Sequence, residues 1–131
     1  MAWKVHLLTE EEQRAYFDGK YTPKVGDMWF SKWRLEDMPH FISPYYFQHW
    51  ASKRPPLDIA LPSSEGWGYV QHCIDMRTIS NGVPNENGWV VTGEPENITV
   101  SPSINLVGIY HGWLQNGVLS EDCEGRVYKP R

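Results

Sequence analysis

The dipeptide Pro55-Pro56 divides the chain into two stretches with different hydrophobic periods. A proline has no amide hydrogen and pushes the residue before it out of the α region, so no helix continues through the pair. Ahead of it lie helix signals. Thr9 stands three residues before Glu12, a spacing in which each side chain satisfies the other's free backbone amide, and a short helix is predicted from there to Phe17, closed by Asp18-Gly19. Residues 21–27 read as a loop that leads into an aromatic strand at 28–33. Ser43-Pro44 is a second helix start, because Ser caps free amides and Pro at the first helical position gives up no needed bond. That helix is predicted over residues 45–52, with Tyr46, Phe47 and Trp50 on one side.

After the prolines the period becomes two. Residues 57–61 and 67–75 alternate and are separated by the turn-rich stretch 62–66, which predicts a hairpin. Asn81-Gly82 and the polar run 84–88 read as a surface loop, and strands follow at 89–92, 98–101 and 107–114. Asn116-Gly117 between two apolar pairs is the mark of a type I′ hairpin, whose central residues both need positive φ. The expected fold is one α+β domain over residues 1–131. It has a twisted antiparallel sheet of hairpins, built mainly from residues 57–120, and two short N-terminal helices packed on it. A chain of 131 residues buries roughly two-thirds of its unfolded surface, enough for its own core.

Charge and composition narrow the function classes. Lys and Arg number 12 against 16 Asp and Glu, and no cationic stripe forms, which argues against nucleic acid as partner. No apolar run approaches the roughly 20 residues needed to span a bilayer, and the opening eight residues lack the apolar core of a signal peptide. No membrane association and a cytoplasmic location are therefore expected. In such a reducing compartment Cys73 and Cys123 are expected to be free thiols.

The richest block is 88–117, with an aromatic-Gly stretch, then Thr99-Val-Ser-Pro-Ser-Ile104, then His111-Gly-Trp-Leu-Gln-Asn-Gly117. It covers about a quarter of the chain. In this block, and in Gly26-Asp-Met-Trp-Phe30, Ile42-Ser-Pro-Tyr-Tyr46 and Trp50-Ala-Ser-Lys-Arg-Pro-Pro56, the chain resembles a small domain-of-unknown-function family of bacteriophages and prophages. Members of that family sometimes carry the label ammonia monooxygenase. The resemblance implies a phage or prophage origin and no particular reaction. Many of its members have a paired-cysteine knuckle and a Cys just before the motif histidine, which together look like a zinc site. Here Cys-x-x-Cys is missing and Tyr110 stands in the second place. His72, Cys73, His111 and Cys123 remain as ligand types without the spacing of a knuckle, so neither metal nor cofactor is expected.

On a strand, His111 and Trp113 share one face while Tyr110 and Leu114 share the other. Burial of the second pair makes the first an exposed polar-aromatic patch suited to binding, and the opposite assignment makes Trp113 core; the sequence leaves both open. The expected binding set is Trp89, Tyr110, His111, Trp113 and Asn116. Ser101-Pro102-Ser103 near His111, with Asp122 or Asp75 as orienting carboxylate, has the residue types of nucleophilic catalysis. It lacks the Gly-x-Ser-x-Gly elbow, and Ser and Pro beside a strand fit a bulge or an edge turn. The expected function is that of a non-catalytic protein-binding module of phage or prophage origin in the bacterial host cytoplasm, its partner a protein of the host, a defence protein among them, or of the phage. Other classes stay open: a small metal protein or enzyme centred on His111 with His72, Cys73 or Cys123, a virion component, or a carbohydrate-binding domain that stacks sugars on some of the seven tryptophans.

Overall fold

A computed structural model describes residues 2–37, 42–63, 68–76 and 89–128. Trp67 and the expected loop at 81–88 lie outside the described residues. The N-terminal segment is extended and forms β1 (Trp3–Lys4) and β2 (His6–Leu7) on either side of buried Val5. Thr9 then caps α1 (Glu10–Phe17) through the expected box. The Glu12 amide donates to Thr9 Oγ1 at 3.1 Å, and the Thr9 amide donates to Glu12 Oε1 at 2.9 Å. Strand β3 covers Asp27–Phe30, α2 covers Lys32–Asp37, and Ser43 caps α3 (Pro44–His49) by accepting from the Tyr46 amide. Beyond the prolines come β4 (Leu57–Pro62), β5 (Tyr69–Cys73), β6 (Val90–Thr92), β7 (Thr99–Leu106), β8 (Tyr110–Gln115) and β9 (Val118–Leu119). The fold is α+β.

The strands make two sheets, ordered β1-β9-β8-β7-β6 and β2-β3-β4-β5. One N-terminal segment serves both. β1 pairs antiparallel with β9, whereas β2 pairs parallel with β3. Between them the Val5 amide donates to Gly117 O at 2.8 Å and the His6 amide donates to Gly26 O at 3.0 Å. At the opposite margins, His72 of β5 meets Trp89, just ahead of β6, edge to face with ring centroids 5.3 Å apart. Met28, Leu57, Ile59, Leu61 and Ile74 of the second sheet and its margin join Val91, Val100, Ile104, Tyr110, Leu114 and Leu119 of the first in one core cluster, with Tyr46 and Trp50 from the α3 region. Full burial of a large apolar side chain contributes about 1.5–3 kcal/mol, so this shared cluster is what holds the sheets together. A smaller cluster of Leu8, Trp29 and Ala60, packed by Tyr16, Tyr21 and Tyr69, lies apart from it. Strand β4 therefore has both faces covered and all six of its residues are buried.

Four expectations are corrected. The sheet does not arise mainly from residues 57–120: the N-terminal 30 residues supply β1, β2 and β3, and β2 pairs parallel, so the strands form two sheets and one is mixed. The aromatic strand ends at Phe30, and Trp33 lies in a third helix, α2. The cause is Asp58, wholly buried on β4, which recruits the Ser31 hydroxyl, the Gln71 amide and Arg34 Nε, the last at 2.9 Å; supplying those donors turns the chain at Ser31. On α3, Tyr46 and Trp50 are buried but Phe47 is half exposed to solvent, since a single short helix offers the core only a narrow stripe. The strand expected at 107–114 begins only at Tyr110, because β7 runs on to Leu106 and residues 107–109 make the turn.

Candidate functional site

The hairpin of β7 and β8 builds the site. Along β8 burial alternates: Tyr110, Gly112 and Leu114 face the core, while His111, Trp113 and Gln115 face outward. Of the two assignments open to the sequence, the one with an outward His111 and Trp113 holds. Trp113 is 42% exposed, and the His111 side chain is about a third exposed. Tyr110 does not belong to the surface set. Its ring is fully buried, its hydroxyl donates to Ser120 O at 2.8 Å, and burial pushes its pKa up to about 12.

Strand β7 is irregular opposite Trp113. Val100 pairs with Leu114 and Ile104 with Gly112, so residues 101–103 on β7 face the single residue 113 on β8. Pro102 has no amide to give the ladder, and Trp113 instead bonds across to Ser120: its amide donates to Ser120 Oγ at 2.8 Å and its carbonyl accepts from the Ser120 amide at 2.8 Å. Of the bulge and the edge turn left open for Ser101-Pro102-Ser103, the register shift here is of the bulge kind. Ser103 Oγ lies 3.0 Å from His111 Nε2, and Trp89 Nε1 donates to Ser103 O at 3.3 Å. Trp89 thus meets Ser103 through its indole nitrogen, while its ring packs on His72 and against the core cluster. Asn116 sits in the turn at the end of the hairpin with φ 48°, its amide donating to Thr99 Oγ1 at 3.0 Å.

Residues 121–126 wrap the edge of the patch. The buried Asp122 carboxylate accepts the His111 amide at 2.8 Å, the Glu124 amide at 3.1 Å, the Arg126 amide at 2.9 Å and Arg126 Nη1 at 3.0 Å. Burial pushes its pKa up, but the Arg126 and His111 amides and the Arg126 guanidinium outweigh that, and the net shift is downward. Asp122 is thus engaged with backbone, and does not orient the imidazole as the sequence suggested. Asp75, two residues past the end of β5, is instead paired with Arg54. The carboxylate that faces the ring is Glu124, Oε2 lying 3.6 Å from His111 Nδ1 and 3.4 Å from Arg126 Nη1. Sequence reasoning missed Glu124. The available signal was Asp122 two residues ahead of it, an Asx turn that folds the chain back on itself.

The candidate metal ligands do not form a set. His72 and Cys73 are consecutive on β5 and point to opposite faces, with Cys73 Sγ 3.8 Å from Asp75 Oδ1, and Cys123 is exposed in the loop beside His111. Among the described residues no three His, Cys, Asp or Glu side chains gather as they would around an ion. Neither cysteine is in a disulfide. Among the described residues no helix is long and apolar enough to cross a membrane. No protein-family model, curated protein or solved structure matches this chain, so the meaning of the site rests on its own geometry.

Proposed function

We propose that this chain is a phage or prophage accessory protein that works inside the bacterial cell by binding a protein partner through the outward face of β8. The observation that carries the reading is Trp113, 42% exposed on a sheet face beside His111, whose side chain is about a third exposed. A large indole left in water on a sheet face, next to a group that both donates and accepts hydrogen bonds, is the pairing that protein interfaces use as an anchor. Phe17 and Phe47 are also exposed, but each stands on a helix without a comparable polar neighbour in its ring contacts, which are aromatic. The origin rests on the likeness of residues 88–117 to the phage family.

The test is affinity capture from a bacterial host that expresses the tagged protein, with the retained partner quantified. Trp113→Ala and His111→Ala are each expected to cut retention at least tenfold with an unchanged thermal midpoint, since hot-spot truncations cost about 2 kcal/mol or more. Val107→Ala, at a turn residue that is 87% exposed, is the control and leaves retention intact. Retention that survives both β8 variants sinks the reading.

A further inference from the structure

Ser103, His111 and Glu124 support an inference that goes beyond partner binding and does not depend on it. Their order in space is hydroxyl, imidazole, carboxylate: Ser103 Oγ is 3.0 Å from His111 Nε2, and Glu124 Oε2 is 3.6 Å from His111 Nδ1. Nε2 of the ring thus faces the hydroxyl and Nδ1 faces the carboxylate, and in the tautomer with the proton on Nδ1 the other nitrogen accepts from the hydroxyl. The imidazole is held from behind as well. Its own residue's amide donates to Asp122 Oδ1 at 2.8 Å, and its carbonyl accepts the Cys123 amide at 2.6 Å. Asp122 in turn accepts the amides of Glu124 and Arg126, so the anchor of the histidine backbone also places the carboxylate.

The bulge adds access. Because residues 101–103 spread opposite one residue of β8, Ser103 lies outside the regular ladder, with its carbonyl fixed by Trp89 Nε1 at 3.3 Å. Neither His111 nor Glu124 is buried, with side chains 31% and 52% exposed, so the hydroxyl and its base are open to a small molecule from the outward face. Trp113 borders that face and presents an apolar plane.

We propose that Ser103 is a nucleophile for acyl transfer, with His111 as its general base and Glu124 as the residue that positions the imidazole, and that its substrates are esters with an apolar or aromatic acyl group. Ser103 Oγ attacks the carbonyl carbon as its proton passes to His111 Nε2. When the tetrahedral intermediate collapses, the bond to the leaving oxygen breaks and Nε2 returns the proton to it as the alcohol departs. Water then attacks the acyl-serine, gives its proton to Nε2, and releases the carboxylic acid while Ser103 regains its hydrogen.

A fluorophosphonate probe tests the nucleophile directly, since attack by a serine oxygen on phosphorus expels fluoride and leaves a stable adduct. The expected result with the wild-type chain is one adduct, mapped by peptide mass spectrometry to Ser103. Hydrolysis of p-nitrophenyl butyrate is expected to fall at least 100-fold in Ser103→Ala and in His111→Ala. Glu124→Gln is expected to lower kcat about tenfold with KM unchanged, a split that a merely structural carboxylate would not produce. Absence of an adduct, or an adduct at another residue, overturns the proposal, and because mapping uses the wild-type protein it stands even if a variant does not fold. No partner takes part, so failure of the binding reading leaves this result untouched.

Discussion

At the scale of single residues, Gly112 shows how one position on β8 serves the core and the surface together. A β-carbon there would lie 2.0 Å from the Tyr110 hydroxyl, 2.4 Å from its ring and 2.8 Å from Ser120 Oγ. The buried ring therefore lies along the strand across Gly112, which is what lets its hydroxyl reach Ser120 O. Gly112→Ala forces the ring away and breaks that bond, and is expected to destabilise the protein by about 2–3 kcal/mol, read as a lower denaturant midpoint. An unchanged midpoint would mean that the ring has room to move. Nothing in the local sequence marks Gly112 as special, because the clash comes from a residue two positions away whose ring direction is set by the core.

Among the elements, the Asn116-Gly117 hairpin was the most legible from sequence, and both residues have positive φ, 48° and 73°. Strain at that φ alone predicts a cost on the order of 1–2 kcal/mol for Gly117→Val. Tertiary structure adds to it. A β-carbon at Gly117 would sit 2.0 Å from the Glu96 carbonyl oxygen, the Gly117 amide donates to Ile98 O at 2.9 Å, and its carbonyl accepts the Val5 amide. The turn is packed on the 3-10 turn Pro95–Asn97 and on the N-terminal segment, so Gly117→Val is expected to cost about 3 kcal/mol or more by equilibrium denaturation. A loss below about 1 kcal/mol would show that the turn shifts freely. The helix caps were equally legible, since the Thr9–Glu12 box and the Ser43 cap ahead of Pro44 act within four residues of chain. Strand ends were less so. Residues 107–109 look like strand by composition, yet the bulge in β7 moves the turn there.

For the whole molecule, buried charges show where distant segments are joined. Arg54, just after α3, pairs with Asp75 after β5, and Asp75 also accepts the Leu57 amide at 2.9 Å at the start of β4. The guanidinium lies 4.6 Å over Trp50, which fixes the chain between helix and sheet. Arg54→Met strands a carboxylate in the core and is expected to cost about 3–5 kcal/mol by chemical denaturation, whereas Arg54→Met with Asp75→Leu recovers most of that loss. Equal losses in the single and double variants would mean that the packing, not the charge, matters. The caps and the type I′ turn were determined by the sequence alone, because each is set by residues within a few positions of one another, and the α+β class was legible in the change of hydrophobic period at Pro55-Pro56. The tertiary structure alone decided that residues 3–7 serve two sheets, that Asp58 draws Arg34 and its helix toward β4, that His111 faces outward, and that Glu124 stands at its ring. Those outcomes depend on which apolar faces meet and on where buried carboxylates find their donors, and both are contacts between segments far apart in the chain.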